Sequence, residues 1–160
     1  MTTTESVMDV AERGQVPVGA KTHSSYEPLK EIMALYPRQS GPIFHSYTDL
    51  THAARWEEMT AVDLGKEKQT RLQRVSGSGW AGLIGRRPGG KKLEAVIPCH
   101  IADTLSTSFF DGIYSALATL SSSEERFEEL ETEHILLAVL SPDSTVVYYK
   151  LAKGLVKPVN

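Results

Sequence analysis

The side chains with the most chemical potential are His45, Asp49 and His52, separated by four and three residues. On a helix that spacing puts all three on one face, as a metal ion or an acid–base pair would need. No further Cys, His or Glu cluster completes a ligand set, so a solvated polar helix face is the simpler reading. Cys99 beside His100 suggests thiol catalysis. Adjacent residues on a strand point to opposite faces and cannot share a proton, so Cys99 reads as a small buried thiol. The glycine-rich run Ser76–Gly85 invites a phosphate-loop reading. It lacks Gly-Lys-Ser/Thr and precedes no helix pattern, which leaves hairpin glycines.

Charge offers a different chemistry. Residues 1–100 hold 13 Lys and Arg against 11 Asp and Glu, whereas residues 101–160 hold 4 against 9. The basic excess sits in Lys66, Lys68, Arg71, Arg74, Arg86, Arg87, Lys91 and Lys92, which face only Glu67. These eight are the candidate contacts to RNA phosphates, with a solvated strand face as the alternative. The acidic excess lies in Glu124–Glu133. The formal net charge of −3 predicts no strong nucleic-acid affinity from overall charge.

The elements that must position these groups follow from periodicity. Met1–His23 has no sustained period and is read as a disordered tail, with residues 24–160 as one domain. Ser24 and Glu27 form a capping box for a helix carrying Leu29, Ile32, Met33 and Tyr36, which Pro37 stops. A second helix, opened by Pro42, spans Ile43–Trp56. Strands are expected at Met59–Leu64, Arg71–Val75, Trp80–Ile84 and Leu93–Ile97. A third helix, capped by Ser106 or Thr107, carries Leu105, Phe109, Ile113, Leu117 and Leu120 and ends at Ser121–Ser123. Glu124–Glu133 reads as a solvated loop anchored by Phe127 and Leu130.

The chain closes on Ile135–Leu140, six consecutive apolar residues, the turn Ser141–Ser144, and the β-branched and aromatic run Thr145–Leu151. This is a hairpin with Val146 and Tyr148 on one face and Val147, Tyr149 and Leu151 on the other. Leu155–Val156 would add a short strand before Pro158. So apolar a strand must be covered, by the domain's own layers or by another chain. The order of elements gives an α+β class with a mixed, mainly antiparallel sheet and helices packed on it. A single cysteine excludes an internal disulfide and fits a reducing compartment. No apolar N-terminal h-region is visible, which argues against a secretory signal, and no membrane insertion is expected.

The run from Asp143 to Pro158, DSTVVYYKLAKGLVKP, resembles the C-terminus of the non-catalytic Sen-fifteen subunit family of the tRNA-splicing endonuclease, of a fungal-like kind. The specific match covers about Leu136–Pro158, and a looser match in element order reaches back to about Ile43. The resemblance implies the endonuclease C-terminal domain, a mixed sheet with helices packed on one side. It implies a structural subunit of a heterotetramer that excises introns from pre-tRNA. Pro142, Asp143 and Ser144 correspond to an acidic loop that docks into a Sen-two-type subunit. Val146, Val147, Tyr148, Tyr149 and Leu151 correspond to a strand that pairs with a catalytic Sen-thirty-four-type subunit. A Sen-fifty-four-type subunit completes the complex. The cleaving subunits use a Tyr, His and Lys set in an FG-containing region, which is absent here. Between Val96 and Leu120 the only His is His100 and there is no Lys. No cofactor is implied. The family's compartment is the nucleus, or the cytosolic face of the mitochondrial outer membrane. Two alternatives stand beside it: a free-standing RNA-binding module using Lys66–Lys92, and an autonomous ribonuclease using His45 and His52. Self-pairing of the same edge would give a homodimer.

Overall fold

The computed structural model describes residues 16, 19–65 and 79–154. Helix α1 (Tyr26–Leu35) buries Leu29, Ile32 and Met33, the stripe its periodicity predicts. The capping box does not form. Ser25, not Ser24, precedes the helix and makes no side-chain cap; its hydroxyl instead accepts from Thr48 Oγ1 at 3.1 Å. Pro37 ends the helix as expected and opens a 3-10 turn, Pro37–Gln39. Helix α2 (Ser40–Thr48) begins before Pro42 and passes into a π-helical turn, Asp49–Ala53, so Trp56 falls outside it. Ahead of α1, Ala20–Thr22 forms a 3-10 turn with Ala20 buried, which places that part of the expected tail in the core.

The sheet has five strands in the order β1-β2-β3-β4-β5. They are β1 (Glu57–Asp63), β2 (Ala81–Arg86), β3 (Glu94–His100), β4 (His134–Leu140) and β5 (Val146–Ala152). Only β3 and β4 pair in parallel, joined through helix α3 (Thr107–Ser123); the other three pairings are antiparallel. This is the α+β class expected. The strand expected at Arg71–Val75 and the short one at Leu155–Val156 lie outside the described residues.

Helices cover both faces of the sheet, which corrects the expectation of one. Successive residues on each strand alternate between two cores, so residues i and i+2 share one. Ala81, Leu83, Val96, Leu136 and Ala138 pack with α1 and α2, while Ile84, Ala95, Ile97, Cys99, Ile135 and Leu137 pack under Ile113, Tyr114 and Leu117 of α3. Ser106 caps α3, its hydroxyl accepting from Phe109 N at 3.1 Å. The expected loop Glu124–Glu133 is tied down at both its apolar residues. Phe127 and Leu130 are buried against the α3 core, and Leu130 bridges to Leu93.

One buried polar side chain stitches the α1–α2 layer into the sheet. Pro98 has no N–H, and β2–β3 pairing ends at Val96. Gln39, 3% exposed, fills the gap. Its Nε2 donates to Ala81 O and Pro98 O, each at 2.9 Å, and its Oε1 accepts from Ala81 N at 2.9 Å. Trp80 Nε1 donates to the same Pro98 carbonyl at 3.0 Å. Neither role has a periodic signature; a proline inside a strand pattern was the available hint.

Candidate partner interface

His45, Asp49 and His52, whose spacing could suit a metal or an acid–base pair, have separate neighbours. Asp49 accepts from Tyr148 Oη at 2.6 Å. His45 stands edge-on to Phe44, and His52 edge-on to His23. Burial pushes the His45 imidazole pKa down, favouring its neutral form. Cys99 lies in the α3 core, while His100 lies near Gly41 on the α2 side. Burial, with Asp103 adding to it, pushes the Cys99 thiol up to about 12, so it carries little thiolate. In the glycine-rich run, Gly79 has φ of 96°, and a Cβ there would stand 2.7 Å from the Cα of Gly65. Packing demands that glycine.

Of the basic segment, Lys66, Lys68, Arg71 and Arg74 lie outside the described residues. The others sit among carboxylates. Arg86 bonds Glu58 at 3.1 Å and Glu129 at 3.0 Å. Arg87 grips both oxygens of Glu94, at 2.5 and 3.1 Å, and lies over the Trp56 ring. Lys92 reaches Glu131 at 3.3 Å. Lys91 is exposed. The acidic residues of Glu124–Glu133 thus partly neutralise the described cations of the basic segment, a match that separate charge tallies miss.

The two edges of the sheet differ in construction. On β1 the register slips between Glu57 and Thr60, and Glu58 takes φ of 56°. Irregularity and charge are what protect an edge from pairing with foreign chains. Strand β5 has no such irregularity, and Lys150 is its one charged residue. All seven of its residues keep register with β4, from Val146↔Leu140 to Ala152↔His134. Among the described residues no strand pairs with its outer edge.

The two faces of β5 differ as well. Val146 and Tyr148 pack into the α1–α2 core, where burial and then Asp49 push the Tyr148 phenol pKa up. Leu151 packs into the α3 core, and its carbonyl accepts from Tyr114 Oη at 2.7 Å. Val147 and Tyr149 remain 42% and 54% exposed. The structure therefore brings these five residues onto one margin. Pro142, Asp143 and Ser144 form the turn beside it, with Ser144 at φ of 67°. Asp143 Oδ1 accepts from Thr145 N at 3.0 Å, which holds its carboxyl below the usual carboxylate range.

The model of one protein family, described as Sen15 protein, matches residues 45–160. A probable tRNA-splicing endonuclease subunit sen15 of Schizosaccharomyces pombe is 29% identical over 69% of this chain and 76% of its own length. The human tRNA-splicing endonuclease subunit Sen15 is 28% identical over 86% of this chain and 71% of its own. A Neurospora crassa protein, probable tRNA-splicing endonuclease subunit tsp-1, is 35% identical over 46% of this chain and 38% of its own. With the family match running from the last residues of α2 through the whole sheet and the exposed margin of β5, this chain belongs to the Sen15 family.

Proposed function

We propose that this chain is a non-catalytic subunit of the tRNA-splicing endonuclease, acting as a scaffold in the excision of introns from pre-tRNA. The names of its relatives support the complex. The single observation that carries the scaffold role is the flat, in-register outer edge of β5 with Val147 and Tyr149 bare beside it. An added strand would satisfy the unpaired peptide groups and cover the two side chains together. A catalytic Sen-thirty-four-type subunit takes that edge. The exposed Asp143 turn engages a Sen-two-type subunit, and a Sen-fifty-four-type subunit completes a heterotetramer. Pre-tRNA reaches the chain through the complex. The nucleus is the proposed compartment, with the cytosolic face of the mitochondrial outer membrane as the alternative. No helix among the described residues is long and apolar enough to cross a membrane.

Mass spectrometry of proteins co-purifying with a tagged chain tests this reading. Val147→Asp or Tyr149→Asp should remove the other endonuclease subunits from the eluate; their undiminished recovery would overturn the reading. Cleavage of pre-tRNA by the purified chain without partners would overturn the non-catalytic role.

A further inference from the structure

The large hydrophobic side chains exposed among the described residues are Ile101, Val147 and Tyr149. Ile101 directly follows β3 and is 63% exposed. Its N–H donates to Leu140 O at 3.0 Å, which sets it beside the end of β4 where Leu140 pairs with Val146. Val139, opposite Val147, is only partly buried under the α3 layer, as is Phe110. Ile101 is two strands in from the open edge, since β4 and β5 lie outside β3. A partner that only extended the sheet edge would leave Ile101 untouched.

We infer that the partner reaches past the edge of β5 and lays an apolar segment over the corner formed by Val147, Tyr149, Val139 and Ile101. The inference rests on the partner reading above and fixes the partner's chemistry. The α1–α2 side of β5 is already closed by Val146 and Tyr148, so a covering layer is required on one side only. The charges around the corner define the rest. Asp143 is exposed at the turn before β5, and Asp111 is exposed on α3, three residues before the Tyr114 that bonds Leu151. Lys150 is the one cation within β5. The matching surface is an apolar centre flanked by Lys or Arg side chains. Apolar anchors inside a ring of polar contacts are where interface energy concentrates.

The full chain is titrated with the purified Sen-thirty-four-type subunit, and the dissociation constant is compared for wild type, Tyr149→Glu, Ile101→Glu and Ile101→Ser. Thermal unfolding midpoints of the free variants confirm that exposed Ile101 is not needed for folding. The inference predicts that Ile101→Glu weakens binding about tenfold or more and Ile101→Ser by a smaller factor, with Tyr149→Glu the most damaging. If Tyr149→Glu loses binding while Ile101→Glu binds like wild type, the footprint stops at the edge. That outcome overturns the inference and leaves the partner reading intact. If wild type does not bind the subunit at all, both fall. If Ile101→Glu alters only self-association in sedimentation, the corner belongs to a second copy and the inference is wrong.

Discussion

The α1–α2 face and the α3 face of this sheet are finished to different degrees. On the first, every strand contributes to a core sealed by two helices, and even its outermost strand is closed by Val146 and by Tyr148 bonded to Asp49. On the second, one helix covers the centre and leaves Val147 and Tyr149 in solvent. The closed face holds the domain together. The open face is suited to holding something else. The same substitution chemistry should therefore move stability on one side and association on the other.

The largest stability loss should come from the closed face. Leu83→Ala, at a fully buried side chain, should cost about 2–5 kcal/mol in urea unfolding, while Val147→Ala should stay within about 0.5 kcal/mol. Equal losses would erase the distinction between the faces. Gln39→Ala comes next. It strands Ala81 N and the Ala81 carbonyl in the interior, while Pro98 O keeps its bond from Trp80, and should cost about 2–4 kcal/mol by the same measurement. Tyr148→Phe removes one hydroxyl from the closed side of β5 and should cost about 1–2 kcal/mol, with Asp49→Asn a milder partner in a double-mutant cycle.

The smallest effect is a pH dependence. His45 has a folded-state pKa below its ordinary value of 6.5, so the unfolded chain takes up that proton first. Stability should hold above about 6.5, fall as pH drops below it, and stop falling on this account once the folded-state pKa is passed. His45→Gln should flatten that part of the pH profile of the thermal midpoint. An unchanged profile would remove burial of His45 from the closed face's account.

Periodicity made much of this legible in advance. The stripe Ile113 and Leu117, the Ser106 cap and the alternation along β5 all follow from residue type and spacing, whereas the exposure of Val147 and Tyr149 does not, since both faces of β5 are apolar. Long-range polar partners did not. Gln39 reaches 42 and 59 residues ahead, and Tyr148 reaches 99 residues back. No local pattern encodes such a pair, because its energy depends on where the chain returns. The two-sided covering was legible only in part. Apolar residues at consecutive strand positions, such as Ile135 to Ala138, require two cores, yet the pattern does not say which helix supplies each. The ion pairs of Arg86, Arg87 and Lys92 join segments that looked like separate charge blocks.

The bond between Tyr148 and Asp49 couples the margin of the sheet to the turn that ends α2. Anything that steadies β5 from outside also steadies this anchor, and through it the π-helical segment on the far layer. Docking at one rim would then be felt on the opposite side of the molecule, as slower amide exchange at Ala53 and Ala54, with no residue there touching the visitor.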